Sequence, residues 1–285
     1  MSLSVFGDIL LGMSSNQPNE FAPKGLDIAL HEARFETFAA RYLAEHPEAM
    51  LHLKREHTYK VLGYARVLVD SETFTPEEGR AALLGALYHD VGRFPQYVRW
   101  RTFSDAQSEN HARLSVRTLH RGCVLDDEPR SVRHAALTAI ALHNRYRLPP
   151  GLRDSYLKVC HAVRDADKLD IMRIMAFHLT RPLPTGDVVL HVRDEPSLWT
   201  PAIASKVLHR EVPSYTELKY VNDFRMLIGS WVHELHFATS RRLCATSGHI
   251  EAILEGLPPV EALVPVRASI MDTLYSYHSH HINNV

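Results

Sequence analysis

The sequence predicts an all-α protein, with a helical core over residues 28–180 and a C-terminal helical extension over 181–285 packed on it. Three observations predict this class. From Leu26 onward, helix-forming residues dominate in long blocks. Within those blocks apolar residues recur at steps of three and four, the period of a half-buried helix. Only Val188–Val192 looks extended, so any sheet is small. A hydrophobic content of 45% and a charged content of 23% are ordinary for a globular chain, and 285 residues suffice for one large domain or two small ones.

Residues 1–27 read as an N-terminal arm. Its stretch 14–25, SSNQPNEFAPKG, is polar with Pro and Gly. The short apolar run Val5 to Met13 is interrupted by Asp8 and lacks a basic n-region, so it is not read as a signal peptide. Helices are expected near 28–45, 53–70, 76–89, 107–120, 128–144 and 153–179. Pro149-Pro150-Gly151 separates the last two. The segment 181–200 is Pro-rich. Helical patterns then return near 201–209, 216–237, 239–255 and 259–277.

The formal net charge of −1 lacks the basic surplus of a nonspecific nucleic-acid binder, so no nucleic-acid polymer is expected as a partner. No apolar run approaches the roughly 20 residues that span a bilayer, and no membrane partner is expected. Cys123, Cys160 and Cys244 are odd in number and contain no CxxC, which fits a reducing cytoplasm better than a disulfide framework. The unusual count is nineteen histidines. Histidine is the commonest metal ligand and a frequent acid or base. His278, His280 and His281 read as a solvated tail.

Chemistry concentrates on inward faces. His89-Asp90 ends the apolar helix AALLGALYHD and is followed by Val91-Gly92-Arg93. His57 shares a stripe with Val61, Tyr64 and Leu68, at steps of four, three and four. His143 shares one with Val132, Ala136 and Ile140. An inward imidazole needs a hydrogen bond or a metal. In VCHAVRDADKLDIMRI, Asp167 lies on a stripe with Tyr156, Cys160, Val163, Ile171 and Ile174. Asp165 falls instead with Lys158, His161 and Met172, a more mixed face. An unpaired carboxylate on an apolar face is costly, so Asp167 calls for a cation. His111 opens the helix HARLSVRTL after a polar loop.

These residues together resemble the HD-domain superfamily of metal-dependent phosphohydrolases. The family pattern is a His, a His-Asp pair and a distant Asp on successive helices, here His57, His89-Asp90 and Asp167 over roughly residues 50–180. Ala166-Asp167-Lys168-Leu169 looks like the family's closing motif. His111 and His143 are similar in placement to the two histidines that bind a second metal in some members. HDVGRFPQY and the following TFSDAQSENHA look like a bacterial subgroup of unassigned substrate. The resemblance implies a first metal held by His57, His89, Asp90 and Asp167, and a second by Asp90, His111 and His143. Asp90 would bridge, and a bridging water would become the nucleophile. The mixed imidazole and carboxylate set favours Mn, Fe, Co, Ni or Zn.

Arg93, just past the pair, is a candidate phosphate clamp, because a guanidinium fork matches phosphate oxygens. Lys168 is a candidate phosphate or carboxylate donor. The alternative for both is a structural ion pair. Asp223, Arg225, Trp231 and His236 are weaker candidates, for which packing is the stronger reading. The expected partner is a small phosphorylated substrate, a nucleotide being one candidate. The HNRYRLPPG segment after His143 departs from the GYP-type pattern of cyclic-dinucleotide phosphodiesterases, and no Walker-type phosphate loop is present. Two other readings share the ligand set: an HD-type di-iron oxygenase, and a nucleotide-binding sensor that has lost turnover.

Overall fold

The computed structural model describes residues 26–180 and 192–279. The expectations for residues 1–25, for Val188–His191 and for the histidine tail from His280 lie outside the described residues. So does the side chain of His278. The described residues are helical, and among them only one isolated parallel bridge, Arg193 with Tyr220, has β character. No described helix is long and apolar enough to cross a membrane.

The first half of the chain is built from α1 (Ala29–Glu45), α2 (Ala49–Ser71), α3 (Pro76–Tyr88), α4 (Arg93–Trp100), α5 (His111–Arg121), α6 (Arg130–Leu142) and α7 (Asp154–Leu179). At its centre is α3, packed by α2, α6 and α7. Every residue from Ala81 to Tyr88 is buried, which is why this helix is written in alanine, leucine and glycine. Gly85 lets α7 approach: a Cβ there would stand 2.8 Å from Val163 Cγ2. The helix starts sharply. Thr75 and Glu78 form a reciprocal capping box and Pro76 occupies the first turn.

The second half follows with α8 (Pro201–Leu208), α9 (Val221–Ser230), α10 (Ala238–Thr246), α11 (His249–Glu255) and α12 (Val264–Ser279). Two apolar cores result, and they meet inside α7. Val159, Cys160, Val163 and Ala166 belong to the first. Leu169, Met172, Ile174 and Leu179 belong to the second.

Four local expectations are corrected. The span 216–237 is not one helix. A 3-10 turn at Tyr215–Glu217 precedes α9, a second at Trp231–Glu234 follows it, and Leu235 and Phe237 are extended. The break is held by Asp165, whose Oδ2 accepts the His236 and Phe237 amides at 2.9 and 3.0 Å. The span 239–255 divides at Gly248, which adopts φ +71°. The helix expected from 107 begins at His111, because Asn110 caps it by accepting the Arg113 amide at 3.0 Å. Finally, α4 was not anticipated. Pro95 lies in its first turn, where a missing N–H costs nothing.

Gly92 joins α3 to α4 at the closest backbone approach near the His-Asp pair. A Cβ there would meet the Ser115 amide at 2.4 Å and the His111 carbonyl at 2.6 Å. Ser115 Oγ accepts the Gly92 amide at 2.8 Å and donates to the His89 carbonyl at 2.7 Å. The glycine therefore brings the start of α5, with His111, against the end of α3. Gly92→Ala is expected to cost about 3 kcal/mol of stability through forced backbone displacement. Gly63→Ala, on α2 with nothing within 4 Å of its Cβ, is expected to gain about 0.5–1 kcal/mol. Urea denaturation midpoints of the two variants test the opposite signs.

Candidate metal centre

Six side chains from five places in the sequence converge at the ends of the central helices. His57 comes from the middle of α2. His89 and Asp90 follow α3, His111 opens α5, His143 follows α6, and Asp167 lies midway along α7. All four imidazoles are buried. His57 Nε2 lies 3.2 Å from His89 Nε2, and His111 Nε2 lies 3.0 Å from His143 Nε2. The carboxylate of Asp90 stands between these pairs. Its Oδ2 is 3.7 and 3.8 Å from His57 and His89 Nε2. Its Oδ1 is 3.5 and 3.8 Å from His111 and His143 Nε2. Asp167 Oδ1 completes the first group, 3.2 Å from His57 Nε2 and 3.6 Å from His89 Nε2.

The other ring nitrogen of each histidine is already engaged. His89 Nδ1 donates to the Ala86 carbonyl and His143 Nδ1 to the Ile140 carbonyl, both at 2.8 Å. A carbonyl can only accept, so in these neutral rings Nε2 carries the lone pair. His57 Nδ1 faces Asp170 Oδ2 at 2.7 Å, and His111 Nδ1 faces Asp105 Oδ2 at 2.7 Å. Such carboxylate partners fix the orientation of metal-binding histidines. Four lone pairs and two carboxylates thus converge, an arrangement that repels itself unless cations enter. Two ligands about 2.1 Å from one ion and at right angles lie about 3.0 Å apart. The two Nε2–Nε2 separations match that figure. Two overlapping groups, His57 with His89 and Asp167, and His89 with Asp90 and His143, have the spacing to hold an ion.

The charges near the centre are unevenly shared. Burial works against an ionised Asp90, but Lys54 and then Arg93 hold its pKa well below the usual carboxylate range. Asp167, which is partly buried, is likewise held well below it, by His57 and His89. Burial lowers His111, and Arg93 adds to the effect. Burial and the neighbouring His111 and His89 push His143 down to about 3. His57 differs. Burial and Lys54 oppose its charged form, but Asp167 and Asp170 outweigh them and raise it.

Lys54, Asp105 and Asp170 are neighbours of the cluster that the sequence did not single out. Lys54 Nζ donates to Asp90 Oδ2 at 2.7 Å. Its only sequence signal is position, one helical turn before His57. Asp170 lies one helical turn after Asp167 and is fully buried. It is braced by Arg173 Nε at 2.6 Å. Asp105 also accepts from Gln96 Nε2 at 3.0 Å.

Of the residues expected to handle phosphate, Arg93 is at the cluster. Its Nε is 3.3 Å from Asp90 Oδ1 and its Nη2 3.3 Å from His111 Nε2. Lys168 turns toward the C-terminal half, where Nζ donates to Glu234 at 2.5 Å. Asp165, placed on a mixed face by periodicity, is in fact buried and structural. Asp223 accepts from Thr200, Lys219 and Tyr220, and Arg225 donates to the Ile253 and Leu179 carbonyls. Trp231 is buried in the second core, and His236 stacks on His161 with ring centroids 3.9 Å apart.

These shifts set the acid sensitivity of the metal-free protein. His111 and His143 stay neutral when folded, so below their ordinary 6.5 the unfolded chain binds more protons and stability falls with pH. His57 works in the opposite sense, its contribution being present below 6.5 and lost as pH rises through its higher folded value. Asp90, Asp105, Asp167 and Asp170 add stability above their ordinary 3.8 that is lost as pH falls through their lower folded values. Among these histidines His143 gives a defined window, from 6.5 down to about 3. Chelator-treated protein is therefore expected to lose urea resistance from pH 6.5 downward, His143 contributing about 1.4 kcal/mol per pH unit. His143→Gln should flatten that slope. An equal slope in the variant would refute the assignment.

The HD domain family model matches residues 55–172, a span that contains all six converging side chains. No curated protein and no solved structure matches the chain. The match stops within α7, so the second core lies almost wholly outside it. Residues 55–172 thus match the HD domain, consistent with the HD-domain superfamily.

Proposed function

We propose that the protein is a metal-dependent phosphohydrolase acting on small phosphate esters, nucleotides included, with two divalent transition ions. The observation that carries this reading is the position of Asp90. Each of its oxygens faces one histidine pair, and Lys54 and Arg93 flank it. His57, His89, Asp167 and Asp90 Oδ2 would hold one ion. His111, His143 and Asp90 Oδ1 would hold the other. Such ions supply a water whose pKa is brought toward neutrality and a Lewis acid for a phosphoryl oxygen.

The protein's own groups give reasons for an anionic substrate. Asp90, Asp105, Asp167 and Asp170 carry four negative charges, and Lys54, Arg93 and Arg173 carry three positive ones. The set is net −1 by itself and net +3 with two divalent ions. Once Asp90 is neutralised by metal, Lys54 and Arg93 lose the need to face it. Both also stand over the Phe103 ring, at 5.5 and 5.6 Å from its centroid. From there an ammonium and a guanidinium can turn to phosphate oxygens. Asp170 and Asp105 keep His57 and His111 in place throughout.

Elemental analysis of protein purified under metal-replete conditions is expected to find about two ions per chain. His143→Ala should hold about one and Asp90→Ala nearly none. Asp170→Asn and Asp105→Asn should each weaken metal affinity by about 10–100-fold. A panel of phosphomonoesters, phosphodiesters and nucleoside triphosphates, run with Mn, Fe, Co, Ni and Zn, should reveal hydrolysis that Asp90→Ala abolishes. Turnover that requires oxygen and a di-iron signal would replace this reading with the oxygenase one. Bound metal without any turnover would replace it with the sensor one.

A further inference from the structure

Gln96 and Phe94 are the two buried residues of α4, and Gln96 is fully buried. A carboxamide shut away from water is costly unless it is hydrogen-bonded. Gln96 has partners on both sides. Its Oε1 accepts from Arg93 Nη1 at 2.9 Å. Its Nε2 donates to Asp105 Oδ1 at 3.0 Å, and to Ser108 Oγ and the Glu109 carbonyl at 2.9 Å each. These partners decide which end is oxygen: a guanidinium only donates, while a carboxylate and a carbonyl only accept.

Both sides lead to the same half of the metal centre. Arg93 Nη1 also donates to the Phe103 carbonyl at 2.6 Å and lies 3.3 Å from Asp105 Oδ1. One edge of the guanidinium is therefore held by Gln96 and by the segment that follows α4. The other edge, Nε and Nη2, faces Asp90 Oδ1 and His111 Nε2, each at 3.3 Å. Asp105 in turn holds the His111 ring, its Oδ1 and Oδ2 lying 2.9 and 2.7 Å from Nδ1. Asn144, next to His143, donates to the same Oδ2 at 3.3 Å. The first group is braced differently: Asp170 faces His57, and the Ala86 carbonyl faces His89. Neither brace hydrogen-bonds to Gln96. Packing alone would be served by an apolar side chain of this length, whereas the carboxamide connects a candidate clamp to the carboxylate that orients a candidate ligand.

We propose that Gln96 is a positioning residue for the second ion and for bound phosphate, its one carboxamide fixing the inner edge of Arg93 and, through Asp105, the ring of His111. Losing the carboxamide then weakens the second ion and phosphate together and leaves the first ion as it was. The inference rests on the two-ion phosphohydrolase reading and adds to it a support that ligand and clamp share.

The test is isothermal titration of Mn ions into metal-free, full-length protein, followed by titration of inorganic phosphate into the metal-saturated protein. His143→Ala, which lacks a second-ion ligand, identifies the second binding event. Gln96→Met keeps the length of the side chain and removes both hydrogen-bonding ends. It is expected to weaken the second event about tenfold or more and phosphate about tenfold, with the first event unchanged. Because Gln96 reaches His111 through Asp105, adding Gln96→Met to Asp105→Asn should weaken the second ion by less than the two separate effects combined. A second event and a phosphate affinity equal to those of wild type would overturn the proposal. So would equal weakening of both ions, the mark of a general loosening, or full additivity with Asp105→Asn. If Gln96→Met binds neither ion, Gln96→Asn decides, since it keeps a carboxamide that falls one methylene short: loss of the second ion alone supports the proposal, and loss of both or of neither overturns it. Wild-type protein that takes up a single ion would refute the two-ion reading itself, and the role of Gln96 with it.

Discussion

Asp90 keeps a full negative charge at a place that is 3% exposed, and a charge so placed needs partners on every side. Lys54 reaches one oxygen and Arg93 the other, while the four histidines stand around both. Lys54 and His57 come from α2, Arg93 from α4, His111 from α5 and His143 from the end of α6, while α7 brings Asp167 to the same histidines, so the packing of these helices is constrained by the cluster. Gly92 and Gly85 are two of the consequences. One allows α5 to reach the turn after α3, and the other allows α7 to lie against α3. The small residues of α3 serve the same end. A bulkier central helix would hold α2, α6 and α7 too far apart for their side chains to meet.

The acids around the cluster divide by what they face. Asp105 and Asp170 face histidine Nδ1 atoms and orient them. Asp90 and Asp167 face the Nε2 atoms. Asp165, two residues before Asp167, faces neither, and burial raises its pKa despite the two amides it accepts. Neighbouring aspartates on one helix thus have opposite roles because α7 is enclosed on opposite sides. One side meets the metal-ligand cluster and the other meets the loop that leads into α10.

This enclosure also explains which features were legible in the sequence. His57 and Asp167 were readable because each sits on an apolar stripe at helical spacing, and the family pattern supplied His89, Asp90, His111 and His143. The stripe argument assumes one buried face per helix. For α7 that assumption fails, so Asp165 was assigned to a mixed face although it is buried. Lys54 and Arg93 both pair with Asp90, but only Arg93 lies beside a motif. A lysine on α2 carries no local sign of a carboxylate 36 residues away. The single helix expected over 216–237 is broken by Asp165, 71 residues before His236 in the sequence. Local periodicity cannot register such a long-range contact.

The two cores meet inside one unbroken helix, and this makes α7 a shared beam rather than a hinge. Its first half is held by α2, α3 and α6 and its second half by α10 and α11. Ending the chain at Thr180 would leave Leu169, Met172, Met175 and Leu179 facing water, so the first core has no clean edge at which to stop. Sharing this helix couples the unfolding of one half to that of the other. Ions bound near Asp167 would tighten helices that never touch them, by stiffening the element that both halves share.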